Sequence, residues 1–537
     1  MTSTLPWNLG DPALTTWILS WEWHALLDEP GRFFDGNLFH PYGEAVKYSD
    51  LILPVLPFFG LVLALGGSPI LAHNASILAL SLFCVITTYL LAVRLVKGPS
   101  SMVAAVAFSF SGYVFMHQSH LQLLTLGFFP LAFLMLFRAL EHQRVRDGVW
   151  LGLSSALLAT ASFYYAAIWL VCLTLVVAAD ALRIRWPGRQ WWSTLGPAAG
   201  VMAVLVGPIA YVYAEFQARV TFVREVAGLG LNPIDLLTPA RGSMLYSGLF
   251  DWAAARQPAG LVEHGFFLGF IVLSLASAGS LLWVTRVLQD VRHRALGSQS
   301  PNEIGYLVLA GSASLLLALG PEVRGIPMPF ALLDGLPGYS SIRAVSRFAV
   351  PSLLAACVLA AWFLSRVLAA MRPTVRSVAA LAVTIAVLLE LAVVPSRVLV
   401  GAPSQAHGAL GEAPPGAVIE LPMVAGTDPA FVFVEGPRML ASVGHWRPRF
   451  NGFSGGFPPG YLDDILTVSR FPDPSAMGTI DELGLRYIIL HGSSVPHEGS
   501  YGLEEIEEIL DELEDSASVA EFDHVWLIDL RPGQPTS

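Results

Sequence analysis

The chain has 537 residues, of which 54% are hydrophobic and only 13% are charged. Soluble globular chains carry about 25% charged residues, so this composition excludes a soluble fold for most of the chain and predicts a membrane protein. The net charge of −11 argues against nucleic-acid binding. The region after residue 400 holds 21 of the 41 acids but only 6 of the 30 bases. This asymmetry predicts a membrane-embedded body followed by an acidic, water-exposed region.

Residues 1–50 are predicted to be an external loop that contains one helix. Leu14, Trp17, Ile18 and Trp21 form an apolar stripe, which is typical of an interfacial helix with its tryptophans at headgroup depth. A carboxylate beside a membrane surface can act as a general base toward an acceptor hydroxyl. The carboxylates around this helix are Asp11, Glu22, Asp28, Asp35, Glu44 and Asp50.

Residues 51–400 are predicted to be a transmembrane domain, since they contain apolar runs near the 20 or so residues that cross a bilayer. Two longer runs, 101–137 and 148–179, have basic clusters at both ends, which predicts two-helix hairpins with tips near residues 117–120 and 163–165. The basic clusters include Arg94, Arg138, Arg183, Arg286 and Arg366. If residues 75–400 cross the membrane ten times, all of these clusters lie on the same side of it. The positive-inside rule assigns that side to the cytoplasm.

Residues 51–67 form a shorter run, interrupted by Pro54 and Pro57, that would raise the count to eleven crossings and place the N-terminus in the cytoplasm. Residues 1–50 have only Arg32 and Lys47 as bases, so we expect them to be external and the run to lie in the outer leaflet. An external start with no signal peptide predicts that an upstream helix is missing from this chain.

Residues 401–537 are predicted to form a small α/β domain outside the membrane. Short runs rich in valine and isoleucine at 417–422, 487–491 and 524–530 indicate strands. Residues 461–471 and 503–514 indicate helices, and the second is so acidic that it is typical of a solvated face.

Polar residues at the predicted external ends of the spans are candidates for binding. Arg343 and Arg347 would share a helix face, where a planar guanidinium binds phosphate, although snorkelling toward headgroups is the alternative. The spacing of His117 and His120 permits a divalent metal, but no third ligand is identifiable nearby, so a polar turn is favoured and acceptor or phosphate contact comes second.

Three further features have both an ordinary and a functional interpretation. Tyr164 fits an aromatic belt better than a sugar-stacking platform. Glu263 and His264 precede a span and can face the same cavity. Glu390, a carboxylate within an apolar run, is either functional or bound to another helix.

Several short motifs resemble the GT-C membrane glycosyltransferases, particularly their YfhO-like bacterial branch. They include GDP at residues 10–12, the Trp17, Trp21 and His24 spacing, FHPYG at 39–43 and YSD at 48–50. The likeness continues through the segments 117–120, 164–165, 263–269 and 342–348, and through HWRPRFNGFSGGFPPGY and GLRYIILHG near the end. It therefore runs along nearly the whole chain.

The resemblance implies an inverting transferase that moves a sugar from a polyprenyl-phosphate-linked donor to a glycan, lipid or protein acceptor at the outer face of a bacterial cytoplasmic membrane. Asp11 matches the family's catalytic acid, but Pro12 follows it where many members have a second acid. No cofactor is implied with certainty. The expected substrate-binding residues are Glu22, His24, Asp50, His117, His120, Tyr164, Glu263, Arg343 and Arg347.

Two other functions stay open from the sequence. A transporter or flippase for a lipid-linked sugar would have inverted repeats and ionisable residues at mid-membrane, whereas these spans are almost free of charge. A non-catalytic assembly protein with a partner-docking external domain is compatible with the charge pattern.

Overall fold

Helices form most of the chain in the computed structural model, which describes residues 2–184, 188–220, 229–256, 261–292, 302–333, 335–336, 338–424, 428, 430–495, 499–513 and 517–531. Two members of the predicted basic clusters, Arg185 and Arg294, lie outside these ranges.

The first segment contains a short strand, β1 (Thr4–Pro6), and the helix α1 (Asp11–Asp28). Protein encloses most of α1, since Trp17 and Trp21 are buried in a core that the carboxyl-terminal sheet also contributes to. Protein side chains therefore cover the apolar stripe of this helix, and the position of these tryptophans at headgroup depth stays a prediction.

The helix α2 (Leu56–Ala64) lies within the doubtful run 51–67 and covers nine residues. At about 1.5 Å per residue it is about 14 Å long, less than half of the roughly 30 Å core of a bilayer. It also lies directly on α1, since a Cβ added at Gly60 would be 2.1 Å from the ring of Trp23. As expected, α2 is too short to cross a bilayer by itself.

Residues 69–390 form a helical bundle. Its elements are α3 (Pro69–Val96), α4 (Ser101–Ser109), α5 (Gly112–Met116), α6 (Phe128–His142), α7 (Val145–Ala161), α8 (Phe163–Ile184), α9 (Arg189–Leu205), α10 (Gly207–Arg219), α11 (Ser247–Ala254), α12 (Phe270–Arg292), α13 (Glu303–Ala318), the strands β2 (Glu322–Val323) and β3 (Ile326–Pro327), α14 (Val350–Val367) and α15 (Pro373–Glu390).

Among the described residues, six helices are long and apolar enough to cross a membrane, or up to seven if the pair α9 and α10, bent by 53°, is one span. The chain is thus a helical membrane protein. Other predicted crossings fall on shorter helices, such as α7 with 17 residues and α13 with 16. The count of ten to eleven crossings stays a prediction.

The second predicted hairpin is confirmed by a bond between its two helices. Trp169 Nε1 on α8 donates to Ser155 Oγ on α7 at 2.9 Å, although the two residues are 14 apart in sequence. In one continuous helix they would be about 21 Å apart, so α8 folds back on α7. The turn is at Ser162, beside the predicted tip. The other long run also leaves its helix at its predicted tip, residues 117–120.

Helix ends that carry the predicted basic clusters meet at one end of the bundle. Arg94 at the end of α3 is 2.5 Å from both Glu141, at the end of α6, and Glu303, at the start of α13. Arg183 at the end of α8 donates to Tyr306 of the same α13 at 3.0 Å. These four helix ends therefore have the one-sided arrangement that the sequence predicts.

The first segment lies at the opposite end of the bundle. Thr16 of α1 bonds to His73, near the start of α3, at 2.9 Å. Since Arg94 follows His73 by 21 residues on α3, the helix separates this contact from the level of Arg94 by about 32 Å.

Beyond the bundle, β4 (Arg397–Leu399) pairs with β1, and a mixed sheet has the order β5-β6-β9-β8. β5 and β6 are parallel, and the other neighbours on this path are antiparallel. The predicted strands and helices of this region are confirmed. The elements are β5 (Ala417–Leu421), β6 (Leu485–Ser493), β7 (Tyr501–Gly502), β8 (Ser518–Phe522), β9 (Val525–Asp529), α16 (Gln405–Glu412), α17 (Phe431–Ser442), α18 (Tyr461–Val468), α19 (Pro474–Glu482) and α20 (Leu503–Leu513).

A buried group of charges lies beneath this sheet, and we call Glu420, Glu435, Arg438 and Arg449 the sheet cluster. Arg449 Nη2 is 3.2 Å from Glu420 Oε1 and 3.1 Å from Glu435 Oε2. Arg438 Nη1 donates to Glu435 Oε1 at 3.0 Å, and His491 Nε2 lies 3.0 Å from Glu420 Oε2. Each carboxylate of this buried cluster therefore has cationic and polar partners.

Candidate active site

The centre of the candidate site is a buried ion pair between Glu263 and Arg347. Arg347 Nε donates to Glu263 Oε2 at 3.0 Å, and Nη2 donates to Oε1 at 2.5 Å. Glu263 lies in a 3₁₀ turn before α12, and Arg347 lies in another, Val345–Ala349, before α14. Because Arg347 donates both of these hydrogen bonds to Glu263, the Nε–Nη2 edge of its guanidinium is not free to bind a phosphate.

His117 is the second partner of Glu263. Its Nδ1 is 2.8 Å from the carbonyl oxygen of Tyr113, and its Nε2 is 3.3 Å from Glu263 Oε2. Both ring nitrogens therefore face oxygen atoms of other residues. Burial alone would raise the pKa of Glu263, but Arg347 and His117 outweigh burial and hold it well below its ordinary value.

Asp11 joins this group through His120. His120 Nε2 lies 3.3 Å from Asp11 Oδ2, and Nδ1 lies 2.9 Å from Ser119 Oγ. Burial lowers the pKa of His120 to about 4, against the opposing effect of Asp11, so the ring is neutral at pH 7. With the Ser119 hydroxyl donating to Nδ1, the proton of the neutral ring is on Nε2, which faces the Asp11 carboxylate. The Asp11 side chain is 46% exposed, whereas Glu263 is buried.

Close contact with the sheet region fixes the start of α1. A Cβ added at Gly436 on α17 would be 1.9 Å from the carbonyl oxygen of Leu9, so only glycine permits this approach. The Asn8 side chain also accepts from Gly10 N at 2.9 Å. These contacts hold Asp11, the first residue of α1, in a defined position.

Tyr164 lies under Arg347, with the guanidinium carbon 4.3 Å from its ring centroid, a cation–π contact. Its hydroxyl also accepts from the backbone N of Arg343 at 3.4 Å. The prediction that Arg343 and Arg347 share a helix face is wrong, because α14 begins only at Val350. Arg343 is exposed and Arg347 is buried.

Three predicted site residues make their contacts elsewhere. His24 is paired with Asp28 at 2.9 Å and stacks on Trp446. Asp50 accepts from the backbone N of Phe163 at 2.8 Å, at the start of α8. Both oxygens of Glu22 are buried and have no hydrogen-bond partner among the described residues, and burial raises the pKa of Glu22 well above its ordinary value.

Asp235 supports the site, although no pattern in the sequence had predicted it. His264 Nδ1 is 2.9 Å from Asp235 Oδ2, and both side chains are buried. Asp235 Oδ2 also accepts from the backbone N of Asn232 at 2.8 Å. Because His264 follows Glu263 directly, this pair anchors the turn that presents Glu263. The only sequence signal was the Asn-Pro-Ile-Asp run at 232–235, which resembles a helix start.

Glu390 has the structural role that the sequence left as an alternative. It ends α15 and accepts from the backbone N atoms of Phe270 and Ile271 at 2.6 and 3.2 Å, at the start of α12. The Tyr246 hydroxyl donates to the same carboxylate at 2.9 Å. A carboxylate at a helix N-terminus satisfies N–H groups that have no partner within the helix.

Within the described parts of the chain, no group of three or more His, Cys, Asp or Glu side chains is placed to hold a metal ion. His117 and His120 direct their Nε2 atoms at two different carboxylates, Glu263 and Asp11. The candidate site, which we define as Asp11, His117, His120, Glu263 and Arg347, thus contains the Glu263–Arg347 ion pair with His117 beside it and the neighbouring pair of His120 and Asp11. Asp11 is its water-accessible carboxylate and can accept a proton from a bound hydroxyl.

Comparison with known proteins shows similarity in fold. No protein-family model matches the chain, and no curated protein matches it. Among solved structures, arabinofuranosyltransferase AftD from mycobacteria is similar over 99% of this chain and 42% of its own, with a TM-score of 0.57 and 14% identity. This chain therefore spans less than half the length of AftD.

Two structures of ArnT from Cupriavidus metallidurans also match. The match to the apo structure covers 100% of this chain and 96% of the ArnT chain, with a TM-score of 0.44 and 12% identity. The match to the structure bound to undecaprenyl phosphate covers 98% of each chain, with a TM-score of 0.36 and 12% identity. AftD and ArnT are GT-C glycosyltransferases. The AftD match shows that this chain shares the fold of part of AftD.

Proposed function

We propose that this protein is a membrane glycosyltransferase that moves a sugar from a polyprenyl-phosphate-linked donor to an acceptor hydroxyl. The fold shared with AftD and the sequence motifs that resemble the YfhO-like branch support the proposal. The reaction takes place at the outer face of a bacterial cytoplasmic membrane. The acceptor is a glycan, lipid or protein of the cell envelope.

The single observation that carries the proposal is the environment of Asp11. Its carboxylate is half-exposed, is held by the neutral ring of His120 and lies at the edge of the buried Glu263–Arg347 pair. A general base must be ionised, oriented and open to its substrate. Within the candidate site, Asp11 is held in position and open to solvent, whereas Glu263 is enclosed by Arg347 and His117.

The chemistry assigns one role to each group. The acceptor hydroxyl oxygen attacks the anomeric carbon of the donor and forms the new glycosidic bond, while its proton passes to Asp11. The bond between the anomeric carbon and the phosphate oxygen breaks, and its electron pair leaves with the polyprenyl phosphate. Attack opposite the leaving group inverts the anomeric configuration. Arg343, the exposed arginine next to Tyr164, is available to the departing phosphate, whereas Arg347 is committed to Glu263.

The orientation follows from the two ends of the bundle. The ends that bear Arg94 and Arg183 are cytoplasmic by the positive-inside rule, which makes the candidate site external. In this proposal residues 1–50 are the external first loop, residues 51–400 the transmembrane domain and residues 401–537 an extracytoplasmic α/β domain.

Asp11→Asn tests the catalytic proposal. We expect transfer from a polyprenyl-phosphate-linked sugar to fall at least a hundredfold, because general-base catalysis typically contributes about 10²–10⁴-fold. Asp28→Asn is the matched control, since Asp28 also pairs with a histidine but lies at the other end of α1. Equal transfer by the Asp11 variant and wild type, with both proteins present in the membrane, would remove Asp11 from the mechanism.

Cysteine labelling tests the orientation without background, because the native residues Cys84, Cys172 and Cys357 are buried. We expect a membrane-impermeant maleimide to label Asp523→Cys, in the exposed turn after β8, on intact spheroplasts. Lys97→Cys, exposed at the end of α3, should react only after permeabilisation. The opposite pattern would place the candidate site in the cytoplasm.

A further inference from the structure

Trp7 and Arg241 form a pair at the surface. The Arg241 guanidinium carbon lies 5.7 Å from the Trp7 ring centroid, Arg241 is exposed and Trp7 is partly buried. Among the described residues, no carboxylate lies within ion-pair distance of Arg241. A guanidinium over an aromatic ring is held in place while the N–H groups at its edge can stay free for an anion.

The pair lies next to the candidate site because three chain segments contribute to both. Trp7 packs in a small apolar cluster with Met116 and Leu261. The backbone N of Arg241 is also 3.3 Å from Met116 Sδ. Each of these three segments also carries a residue of the candidate site close by in sequence. Asp11 follows Trp7 by four residues, His117 follows Met116 by one, and Glu263 follows Leu261 by two.

The backbone holds Trp7 in an unusual conformation. Its φ of 67° is in the left-handed region, which a bulky non-glycine residue rarely adopts. The backbone N of Trp7 donates to the carbonyl oxygen of Ser396 at 3.2 Å, in the segment that leads into β4. Costly backbone conformations of this kind are concentrated at ligand-binding and active sites.

We propose that Trp7 and Arg241 form an acceptor subsite for a saccharide that carries an anionic group, either a phosphate or a carboxylate. The indole presents a flat apolar surface to the apolar face of a sugar ring, and the guanidinium fork matches the oxygens of phosphate or carboxylate. Because Asp11 follows four residues after Trp7, a sugar bound here has its hydroxyls near the proposed base. The identification of the ligand as the acceptor rests on the proposed function.

Binding to simple sugars tests the subsite without the donor. The full chain in nanodiscs is titrated with glucose 6-phosphate, glucuronate and methyl glucoside, and binding is followed by saturation-transfer difference NMR. We expect both anionic sugars to bind at least about tenfold more tightly than the neutral one, since a charge-assisted hydrogen bond contributes that much. Inorganic phosphate should compete with glucose 6-phosphate but bind more weakly. Equal binding of charged and neutral sugars would overturn the proposal.

Two variants separate the contributions of the pair. Arg241→Gln should abolish the preference for anionic sugars, and Trp7→Ala should weaken all three sugars while leaving inorganic phosphate unchanged. The matched control is Arg256→Gln, because Arg256 is another exposed arginine, 4.2 Å from the ring of Trp252 on α11. Equal loss of binding in the Arg241 and Arg256 variants would overturn the proposal, and so would no loss in either.

The proposed function and this inference fail in distinguishable ways. Asp11→Asn should bind the three sugars as the wild type does while losing transfer. Sugar binding that depends on Arg241 in a protein without transferase activity would refute only the proposed function. Transferase activity together with binding that ignores Arg241 would refute only the subsite.

Discussion

The candidate site and the sheet cluster are made of the same residue types but differ in exposure. In the sheet cluster, Glu420 and Glu435 are both 1% exposed, and Arg449 bridges them. In the candidate site, Glu263 is enclosed in the same manner, but Asp11 keeps 46% of its side chain exposed and lies beside the neutral ring of His120 instead of a cation. A closed ionic cluster can only support the fold, whereas an ionised carboxylate at the edge of one can also meet a substrate.

The strongest way to test this comparison is to break the closed cluster. Arg449→Met leaves Glu420 and Glu435 buried without their shared cation, and we expect a loss of about 3–5 kcal/mol in the free energy of unfolding. The thermal midpoint of the purified protein measures it. Arg531→Met is the control, since its pair with Asp481 is exposed and should contribute under about 1 kcal/mol. Similar midpoints for the two variants would show that the sheet cluster does not support the fold.

Acid should weaken the sheet cluster through three histidines that lie beside it. His491 and His407 are 3.0 and 3.8 Å from Glu420, and His445 is 3.4 Å from His407. Burial lowers the pKa of His445 to about 3 and lowers the pKa of His407 and His491 as well. The unfolded chain takes up these protons near pH 6.5, so stability is full above pH 6.5 and falls as the pH falls toward 3. From pH 6.5 to 5 we expect a loss of roughly 2 kcal/mol for each histidine that stays neutral.

The measurement for this prediction is the thermal midpoint between pH 7 and 5. His445→Gln should flatten its dependence on pH, whereas His524→Gln, at an exposed position before β9, should leave the slope unchanged. Identical slopes in the two variants would exclude His445 as the cause.

The smallest expected effect concerns the open carboxylate. His120→Ala removes the N–H that holds Asp11, and we expect kcat for sugar transfer to fall about tenfold with little change in KM. His120→Gln keeps an N–H donor and should recover part of the loss. His24→Gln, in the other acid–histidine pair of α1, should leave kcat unchanged. A change in KM alone would mean that His120 binds substrate and does not position Asp11.

The candidate site was partly predictable. The sequence pointed to Asp11, His117, His120, Glu263 and Arg347 as polar groups at the external ends of predicted spans, and the structure links them. It could not show that Arg347 and Glu263, 84 residues apart, bind each other rather than a ligand. Spacing in the sequence predicts only which residues are neighbours on the same helix. Glu263 and Arg347 lie in two turns that precede different helices, so spacing could not predict their contact.

Trp7 and Arg241 show the same limit. Trp7 lies before the first helix and Arg241 in a loop, and neither belongs to a periodic pattern. Their contact exists only because the two segments meet near Met116. The left-handed backbone conformation of Trp7 could not be predicted from its residue type either, since tryptophan rarely adopts that conformation.

By itself the sequence determined that this chain is a helical membrane protein, since its composition and the length of its apolar runs reflect whether a segment lies in lipid or in water. It also located the strands and helices after residue 400, where local patterns agree with the fold. Only the tertiary structure decided that α1 is enclosed by the sheet region, that Glu390 caps a helix and that Asp11 stays open. These properties depend on which distant segments cover a side chain, and neither composition nor periodicity contains that information.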